Sequence, residues 1–562
     1  MKLDLSCVDW EKRLRDGQSL IPDVKVNPSL GATAVAVFNK LRLADVEGTP
    51  TMAEAGGEWF RRIVYALFAA QDPVTKARLI RELFLLVPKK NSKTTNGALL
   101  MLTALLLNRR PNGTLIMTAP VHDVAQLAFD AAAGAIELDD VLKRKLQVKD
   151  HIKTIIHRDT KAELRIMSFD PAALTGQKTV AALIDELHVI AKMAKAAAAI
   201  RQLRGGMLPF PEAFLAFITT QSDGVPVGVF KDELKKARDI RDGKVQGRTL
   251  PVLYELPPEV QDDREAWKDR RLWPSVTPNM GLSITLERLG EDMETAERTS
   301  EEELRSWASQ HLNVEMGIAL SSDGWAGAEF WESATSEETM TLDTFLARCE
   351  VVVAGVDGGG LDDLLGLALA GREKTTRRWL HWGKAWAHRI VLKRRKKIAA
   401  QLLDYQKDGD LVIVEQPGED VAELADILAR VRASGLMPPK LAIGVDPAGI
   451  GDVVAALTDP IRGFQTEEIV AIPQGWKMNG AIKTAERRLA GGELVHCGQP
   501  LMAWCVSNAK TEKAGNAVYV SKAVSGSGKI DPLMALFNAV SLLNQNPEAA
   551  VRTSIYEQGI GI

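Results

Sequence analysis

The first run of residues that could do chemistry is "VPKKNSKTT" at positions 87–95. The apolar stretch "RELFLL" precedes it and "GALLMLTALLL" follows, so we expect a polar loop between a strand and a helix. Such a loop binds phosphate, because its backbone N–H groups and the helix N-terminus face the anion. The pattern predicts a site for ATP with Mg²⁺, formed by Lys89, Lys90, Asn91, Ser92, Lys93, Thr94 and Thr95.

Two residues of this loop have specific expected roles. Lys93 is expected to reach the β- and γ-phosphates, and the hydroxyl of Thr94 to bind magnesium. Val87 and Ser92, however, occupy the two glycine positions of the pattern GxxxxGK[ST]. The loop by itself is therefore equally consistent with a basic surface turn.

Two apolar strands that end in polar residues support the nucleotide site. The run "AALIDELH" ends in Asp185, expected to hold magnesium, and Glu186, expected to polarise the attacking water. By itself this pair could be an ordinary strand end. The run "AFLAFITT" ends at the sheet edge where ligands bind in such folds, in Thr219, Thr220 and Gln221. A phosphate loop combined with an acidic strand end predicts an ATPase.

Aspartates in the second half of the chain could support phosphodiester hydrolysis. Asp357 ends "VVVAGVD", Asp446 ends "LAIGVD", and Asp531 opens the helical run "DPLMALFNAV". Two-metal hydrolysis needs several carboxylates around cations about 4 Å apart, and oxygen ligands select Mg²⁺ or Mn²⁺. Asp363 is a candidate fourth ligand, although the glycine-rich turn before it could equally be a hairpin. Each acid could instead be structural, and Asp531 could be a helix N-cap before Pro532.

A scaffold of alternating strands and helices must position these residues. Strand-like runs with helical segments between them predict a parallel sheet covered on both faces, and they centre on Met117, Ile166, Leu183 and Phe217. Residues 229–312 are charged and predict a helical lid or linker rather than sheet. A second strand-rich block begins at Cys349 and ends in a helix after residue 530.

Length and composition limit the class of protein. A chain of 562 residues is too long for one core, and 46% hydrophobic with 25% charged residues is typical of soluble globular proteins. We expect no secretory leader, no membrane span and, from four scattered cysteines, no disulfide framework or zinc ribbon. Because the net charge is −3, any contact with nucleic acid must come from local basic surface. The candidate basic runs are residues 393–397, 377–378 and 61–62, and each could equally be a solvated helix face.

Together these segments, from about Val37 to Leu543, resemble the large terminase subunit of tailed double-stranded-DNA phages. "IDELH" at 184–188 matches the family's acidic strand unchanged, "VPKKNSKT" is similar to its "VPRKNGKS", and "ITT" at 218–220 resembles its coupling motif. "GVDGGGLDDLLGLAL", "GVDPAGIGDVVAAL" and "KIDPLMALFNAV" resemble its nuclease segments, and "HCGQP" stands where the family usually has "HGGNP".

The resemblance implies an α/β fold. It consists of an N-terminal P-loop NTPase parallel sheet flanked by helices, a helical lid or linker, and a C-terminal RNase H-like nuclease domain. The implied bounds are an N-terminal helical segment 1–50, an ATPase core 51–228, a lid 229–340 that completes the ATPase domain, a nuclease domain 345–545 and a tail 546–562.

The resemblance also implies roles for individual residues. Glu186 would assist ATP hydrolysis, and Thr219, Thr220 and Gln221 would couple it to movement. Arg204, in "RQLRGGMLPF", is a candidate arginine finger, with a surface arginine as the alternative. In the nuclease site, two divalent ions (Mg²⁺ or Mn²⁺) would be held by Asp357, Asp363, Asp446 and Asp531.

Two departures from the family pattern concern the nucleotide site. The family often has Gln after the tryptophan that precedes the P-loop, where it reads adenine, but here Phe60 follows Trp59. Lys89 replaces an arginine of the family pattern, so the identity of the basic residue that assists γ-phosphate cleavage stays open.

The implied function is ATP-driven movement of viral double-stranded DNA into procapsids, together with cleavage of concatemeric DNA. The partners would be double-stranded DNA, the portal protein and the small terminase subunit, in the host cytoplasm. When active, the chain would form a homo-oligomeric ring, which by analogy with the family is a pentamer. In solution the chain could instead be a monomer. The main alternative is a P-loop DNA-dependent ATPase or helicase whose RNase H-like domain only binds DNA, and a second is a structural relative without activity.

Overall fold

The computed structural model describes residues 3–174, 178–193, 195–261, 263–316, 324–396, 398–448, 451–514, 517–522 and 528–550. The chain divides into two compact units, Met1–Met316 and Gly317–Ile562. This division lies earlier in the chain than the predicted one near residue 340. Trp325 and Trp331, which fall in the predicted lid, belong to the hydrophobic core of the second unit. Lys397 and residues 551–562 of the predicted tail lie outside the described residues.

The sheet of the first unit is built from β1 (Glu82–Leu86), β2 (Thr114–Ala119), β3 (Leu146–Lys149), β4 (Thr154–His157), β5 (Glu163–Ser168), β6 (Thr179–Asp185), β7 (Phe214–Thr219) and β8 (Thr249–Leu253). Their order is β3-β4-β5-β2-β6-β7-β1-β8. The strands from β5 to β8 in this order pair in parallel, and β3 and β4 add an antiparallel edge. The predicted parallel sheet is confirmed.

Helices surround this sheet, and a 3₁₀ turn spans Asp150–Ile152. The helices are α1 (Trp10–Arg15), α2 (Pro28–Lys40), α3 (Met52–Ala55), α4 (Glu58–Ala69), α5 (Lys93–Leu107), α6 (His122–Glu137), α7 (Asp140–Lys145), α8 (Pro171–Leu174), α9 (Leu187–Ile190), α10 (Ala196–Met207), α11 (Gly228–Arg241), α12 (Pro258–Gln261), α13 (Arg264–Lys268), α14 (Trp273–Val276), α15 (Leu286–Thr299) and α16 (Glu301–Leu312).

Burial on both faces explains why the strands of this unit are continuous apolar runs. In β1, Leu83 and Leu85 join one hydrophobic cluster, whereas Phe84 and Leu86 join the cluster on the other face. This alternation follows from the two-residue period of a strand. Parallel strands end at one edge, so the loop after β1, Asp185 and the end of β7 come together there.

Strand β8 was not predicted, because residues 229–312 were expected to be helical. It is a fully buried strand paired with β1 at the edge of the sheet. Pro251 lies within it, and proline has no backbone N–H to donate to a neighbouring strand, which confines it mainly to edge strands. The position of β8 at the edge of the sheet therefore permits the proline. Because of this proline and the charged flanking segments, the sequence pattern did not indicate a strand here.

The second unit has a main sheet and a separate hairpin. Its strands are β9 (Cys349–Gly358), β10 (Leu364–Glu373), β11 (Trp379–His388), β12 (Leu411–Val414), β13 (Ile443–Val445), β14 (Ile469–Ala471), β15 (Leu494–His496), β16 (Ala509–Ala514) and β17 (Ala517–Lys522). The main sheet has the order β12-β11-β10-β9-β13-β14, β15 also pairs with β11, and β16 pairs with β17.

The helices of the second unit cover both faces of this sheet. They are α17 (Leu342–Arg348), α18 (Ile390–Arg394), α19 (Ala399–Asp408), α20 (Glu419–Ala433), α21 (Gly451–Thr458), α22 (Asn479–Ala490), α23 (Pro500–Ser507) and α24 (Asp531–Leu543). Short 3₁₀ helices lie at Ala326–Phe330, Glu332–Ala334, Thr466–Glu468 and Gly475–Met478. No described helix of either unit is long and apolar enough to cross a membrane.

The strand pairing confirms the predicted RNase H-like arrangement. Strands β9, β10 and β11 form an antiparallel meander, and β13 pairs in parallel with β9 on its other side. The glycine-rich segment before Asp363 is the hairpin turn between β9 and β10. Three glycines permit this turn, since a side chain would be strained at their positive φ angles, which are 84° at Gly358, 106° at Gly359 and 148° at Gly360.

Helix α24 packs closely on the centre of this sheet because glycines face it. A Cβ atom on Gly355 of β9 would lie 1.9 Å from the carbonyl oxygen of Ala535. A Cβ atom on Gly366 of β10 would lie 2.8 Å from Cα of Pro532. The missing side chains thus let the backbone of α24, which begins with Asp531, approach the ends of β9 and β10.

We expect Gly355→Ala to destabilise the second unit by about 2–3 kcal/mol, because the methyl group would overlap backbone atoms that cannot rotate away. Gly480→Ala in α22 is the matched control. A Cβ atom there meets nothing within 4 Å, so this change should be neutral or stabilising by up to about 1 kcal/mol. Denaturant unfolding measures both, and equal effects of the two substitutions would contradict the close packing of α24.

Candidate active sites

The loop between β1 and α5 has an unusual backbone. Ser92, which caps α5, has a φ of 52°, and Lys90 has a φ of 67°. This left-handed conformation costs a non-glycine residue about 1 kcal/mol or more and is free of strain for glycine. It explains the glycine of the P-loop pattern, and the surrounding structure must stabilise it where Ser92 stands instead.

Asn91 and Asn279 provide that stabilisation. Asn91 is fully buried, and its Nδ2 donates to the carbonyl of Pro88 at 3.1 Å while its Oδ1 accepts from the backbone N–H of Asn279 at 2.9 Å. Asn279 Nδ2 donates to Ser92 Oγ at 3.3 Å, and its Oδ1 accepts from Trp59 Nε1 at 3.1 Å. The Asn91 side chain therefore fixes the loop internally, and Asn279, in the segment 277–284 between α14 and α15, is part of this site.

Lys93 and Glu186 form an ion pair at the carboxyl edge of the sheet. Lys93 Nζ lies 2.9 Å from Glu186 Oε1, and both side chains are largely buried, with exposed fractions of 7% and 17%. Glu186 has a φ of 52°, a strained conformation of the kind that collects at functional positions. The predicted phosphate-binding cation and the predicted water-polarising acid are thus in direct contact.

Thr94 and Asp185 place two oxygen donors side by side. The Thr94 hydroxyl donates to Asp185 Oδ2 at 2.6 Å, and Asp185 is fully buried. Burial and the nearby negative charge of Glu186 raise the pKa of Asp185 to about 6. A hydroxyl and a carboxylate beside the predicted phosphate site suit Mg²⁺, which prefers oxygen ligands. The donor set therefore fits the predicted ATP with Mg²⁺.

His188 connects the acidic strand end to the end of β7. Its Nδ1 lies 3.0 Å from Thr219 Oγ1 and 3.4 Å from Glu186 Oε2, and its backbone N–H donates to Thr219 Oγ1 at 3.1 Å. Burial lowers the pKa of His188 to about 4, so the ring is neutral at pH 7. Sequence reasoning assigned it no role, although the intact "IDELH" motif contains it.

The end of helix α16 contacts both the P-loop and the segment after β7. The backbone N–H of Gln221 donates to Asn313 Oδ1 at 3.0 Å. The backbone N–H of Lys89 donates to the carbonyl of Gln310 at 2.8 Å, and Lys89 Nζ binds Gln310 Oε1. Lys89 is thus engaged by α16, and the predicted coupling segment is joined to a lid helix.

The remaining predicted nucleotide and coupling residues lie around this cluster. Lys90 is exposed and Thr95 is half-buried in the first turn of α5. Thr220 is fully buried, and its hydroxyl has no hydrogen-bond partner among the described residues. Phe60 is buried and stacks on Phe38, with 5.7 Å between ring centroids, so the residue after Trp59 faces the core.

Arg204, the candidate arginine finger, lies in a network of ion pairs at the opposite edge of the sheet. Its Nε is 2.7 Å from Oε1 of Glu82, the first residue of β1, and its Nη1 is 2.7 Å from Glu233 Oε1. Burial opposes its charge, but the hydrogen bond to Glu233 and the charge of Glu82 raise the pKa of Arg204 above its usual range. To act as a finger, Arg204 would have to leave both glutamates, so the geometry favours the structural alternative.

We expect Asp185→Asn to stabilise the metal-free protein by about 1–3 kcal/mol at pH 8, because it removes a buried negative charge beside Glu186. Asp185 is ionised in both the folded and unfolded chain above pH 6, where the folded state bears the full penalty. As the pH falls from 6 towards the ordinary value of 3.8, folded Asp185 is protonated and the penalty disappears.

Thermal unfolding of wild type and Asp185→Asn at pH 8 and pH 5, with EDTA present, measures this difference. The melting temperatures should differ most at pH 8, and the difference should be about half as large at pH 5. A difference that is independent of pH would contradict the raised pKa of Asp185.

In the second unit, Asp357 and Asp446 lie at the ends of adjacent strands. Val356 of β9 pairs with Val445 of β13 in parallel, and each aspartate is the next residue along its strand. Asp357 is buried, with 8% of its surface exposed, and Asp446 is half-buried. Strand pairing therefore places two of the three predicted nuclease acids side by side.

Asp531 reaches the same edge through α24. It is the first residue of this helix, which Ile530 caps, so Asp531 is not the predicted N-cap but stands one position further in. A Cβ atom on Gly358 would lie 3.1 Å from Cβ of Asp531, which places the third acid beside the end of β9. Asp531 is 4% exposed.

The fourth predicted acid, Asp363, is paired with a lysine. Lys529 Nζ lies 2.6 Å from Asp363 Oδ1 and donates to the carbonyl of Asp362 at 2.8 Å. Lys529 is buried, with 3% of its surface exposed. Sequence reasoning assigned it no role, although it stands two positions before Asp531 in the quoted segment "KIDPLMALFNAV".

The donor set of the second unit consists of carboxylates, which suits Mg²⁺ or Mn²⁺. Asp357, Asp446 and Asp531 share one edge of the sheet. Within the described ranges, no group of three or more His, Cys, Asp or Glu side chains is arranged to hold a metal ion. The three aspartates thus match divalent ions in donor type and share one edge, but they are not arranged as a metal-binding group in the described residues.

Part of the basic run 393–397 lies next to this edge. Arg395 Nη2 is 3.3 Å from Asp362 Oδ2, in the turn between β9 and β10. Lys393, Arg394 and Lys396 are exposed. The other two runs are partly engaged in structure, since Arg61 binds backbone carbonyls at the end of α3 and Arg377 binds Glu350.

Two protein families match this chain. The family described as "Terminase large subunit, ATPase domain" matches residues 58–238, and "Terminase large subunit, endonuclease domain" matches residues 258–546. The second match covers more than half of the chain and begins inside the first compact unit.

The alignments with individual relatives cover most of the chain. The terminase large subunit of Lactococcus phage p2 is 22% identical over 520 residues, which are 89% of this chain and 88% of that protein. The terminase large subunit of Lactococcus phage SK1 is 21% identical over the same length and shares. Among solved structures, the large terminase of bacteriophage HK97 covers 91% of this chain and 99% of its own, with 18% identity and a TM-score of 0.47.

Proposed function

This chain belongs to the terminase large subunit family, and from that membership we propose which of its residues drive ATP hydrolysis and which cut DNA. Membership confirms the predicted pairing of an ATPase with an endonuclease, and therefore a function in viral DNA packaging and cleavage. It does not favour a helicase with a non-catalytic second domain, because the endonuclease family itself matches. An ATPase domain implies the use of a nucleotide, and an endonuclease domain implies the use of divalent metal ions.

The ATPase proposal depends on one observation: Lys93, Thr94, Asp185 and Glu186 meet at the carboxyl edge of the first sheet. Lys93 would bind the β- and γ-phosphates, Thr94 and Asp185 would hold Mg²⁺, and Glu186 would polarise the attacking water. The backbone of residues 89–95 would surround the phosphates.

ATP hydrolysis would be coupled to movement of the lid through contacts between this site and the neighbouring segments. Bound phosphate would compete with Glu186 for Lys93, and a shift of Glu186 would reach Thr219 through His188. Gln221 and Lys89 would transmit the shift to α16. We propose that this movement of the lid drives translocation of double-stranded DNA.

For cleavage we propose Asp357, Asp446 and Asp531 as the catalytic carboxylates. When bound, divalent ions supply an activated water and stabilise the leaving oxygen. The protein's part is to hold the carboxylates at adjacent strand ends and at the start of α24, where glycines permit close approach.

The remaining parts of the assignment come from the family. We propose the portal protein and the small terminase subunit as partners, an active ring of five copies, and action in the host cytoplasm. We keep the predicted domain bounds as proposals, with 1–50, 51–228 and 229–340 forming the ATPase part and 345–545 the nuclease.

Two substitutions should separate the activities. Glu186→Ala should lower DNA-stimulated ATP hydrolysis by about 10²–10⁴-fold, the usual contribution of such a group, and leave plasmid cleavage with Mn²⁺ intact. Asp357→Ala should do the reverse and serves as the matched control. Phosphate release and plasmid nicking on the same preparations measure both, and DNA cleavage retained by Asp357→Ala would remove that residue from the site.

Lys93→Ala gives an independent test of the P-loop. Loss of the ammonium should abolish ATP turnover, because Lys93 is the proposed contact of the protein with the β- and γ-phosphates. Ser92→Gly is the matched control in the same loop and should retain turnover, since glycine tolerates the φ of 52°. ATP turnover retained by Lys93→Ala would contradict the proposal.

We further propose that Lys393 and Arg394 contact DNA phosphates beside the nuclease edge. The double substitution Lys393→Glu/Arg394→Glu should weaken DNA binding and reduce the slope of log K against log salt by about two. Lys12→Glu/Arg15→Glu on α1 changes the net charge equally and should leave the slope unchanged. Fluorescence anisotropy over a salt series measures this, and equal effects of both pairs would mean that net charge alone is responsible.

A further inference from the structure

Trp476 is unusual among the tryptophans of this chain. The structure describes all twelve, and Trp476 is the exposed one, with 58% of its surface open to solvent. Ten of the others are buried and Trp382 is half-buried. Burying an indole removes about 150–250 Å² of mostly apolar surface from water, so a partner that covers this ring would be stabilised by it.

The turn that carries Trp476 lies at the edge of the sheet where the proposed nuclease acids are. Strands β9, β13 and β14 run in parallel, so Asp357, Asp446 and the segment after Ala471 leave the sheet at one edge. Trp476 follows β14, in the short 3₁₀ helix Gly475–Met478. Neighbouring strands are about 4.8 Å apart, so the ends of β9 and β14 are separated by about 10 Å.

Hydrogen bonds hold this turn to the backbone next to Asp357. Gln474 Nε2 donates to Asn538 Oδ1 and to the carbonyl of Ile472, both at 3.0 Å. Asn538 is fully buried in α24, and its Nδ2 donates to the carbonyl of Val356 at 2.9 Å. Two side chains thus join the turn to the residue that precedes Asp357, which fixes the turn relative to that acid.

A positive charge lies beside the exposed ring. Lys477 is exposed, and its Nζ is 5.7 Å from the centroid of the Trp476 ring. No carboxylate of the described residues forms an ion pair with this ammonium. An aromatic face next to such a cation matches a nucleic acid, because bases stack on aromatic rings and phosphates attract ammonium groups.

The basic residues Lys393 and Arg394 lie on the other side of the acids. Strand β11 is antiparallel to β10 and therefore ends at the same edge as β9, and it leads into α18, which contains both basic residues. Four strand spacings separate β11 from β14, which is about 20 Å, or about six base pairs at a rise of about 3.4 Å. One duplex could therefore reach both sides of the acids.

We propose that Trp476 and Lys477 form a DNA contact beside the nuclease acids, in which the indole stacks on a base and the ammonium binds a phosphate. This inference rests on the proposed nuclease function, which brings double-stranded DNA to this edge. In a duplex the ring enters one base step and partly unstacks it. The contact carries little sequence information, because every base has a π-face.

Binding of a labelled duplex of mixed sequence to the full-length chain, followed by fluorescence anisotropy with EDTA present, tests the contact without cleavage. Trp476→Ala should lower the affinity by about tenfold, as expected for the loss of one base–aromatic stack, and Trp476→Phe should stay within about threefold of wild type. Ile461→Ala is the matched control and should leave the affinity unchanged. Ile461 is 92% exposed in the loop that precedes β14, at the amino end of that strand.

The salt dependence of binding separates the ring from the cation. Trp476→Ala removes no charge, so the slope of log K against log salt should equal that of wild type. Lys477→Gln should reduce this slope by about one. A reduced slope in Trp476→Ala would mean that the ring only positions neighbouring cations, and it would overturn the stacking contact.

Acrylamide quenching of tryptophan fluorescence reports the ring itself. Because Trp476 is the exposed tryptophan, the quencher should act mainly on it, and added DNA should reduce the quenching of the wild-type chain. Trp476→Phe should show no such DNA-dependent protection. This comparison decides the matter even if thermal unfolding shows that Trp476→Ala is misfolded.

Two results would overturn the contact: wild-type DNA affinity in folded Trp476→Ala, or wild-type quenching that DNA leaves unchanged. The surface would then be assigned to a protein partner instead. The failure of the proposed function is a different result, since DNA cleavage retained by Asp357→Ala would remove the nuclease site. Loss of cleavage in Asp357→Ala together with wild-type DNA binding in Trp476→Ala would leave that site in place and remove the Trp476 contact alone.

Discussion

Buried charges at the ends of strands are the constraint on which both sites depend. In the first unit the ammonium of Lys93 contacts Glu186, and in the second that of Lys529 contacts Asp363. Leaving either ammonium without a counter-charge in such a place would cost several kcal/mol. The pairing fixes the geometry of each site, and in the first unit a bound phosphate would have to compete with Glu186 for Lys93.

The two scaffolds meet this constraint differently. The first unit gathers loops at one edge of a parallel sheet, and its P-loop is held by contacts from distant segments, such as those of Asn279 and Gln310. The second unit uses an antiparallel meander with parallel neighbours on both sides, and helix α24 closes its site because Gly355 and Gly366 leave room for backbone. Nucleotide chemistry thus depends on loop contacts, and DNA cleavage on close packing.

Much of the fold could be predicted because its signals are local. The apolar runs that became β2, β5, β6 and β7 were predicted as strands, and continuous burial of β6 and β7 explains why those two signals were strong. Strand β8 was missed because Pro251 and its charged flanks are tolerated only at a sheet edge, and edge position is a property of the assembled sheet. The division into compact units at residue 316 likewise could not be read from local patterns, since only packing shows which core Trp325 joins.

By itself the sequence determined which side chains are available for chemistry: the lysine and threonine of the P-loop, the acids of "IDELH", and the aspartates at strand and helix ends. The tertiary structure alone decided their partners. It turned Arg204 towards Glu82, engaged Lys89 with Gln310 and placed Lys529 on Asp363. The physical reason is that these ion pairs and hydrogen bonds join residues more than 100 positions apart, and no local pattern records which distant charge will share a desolvated site.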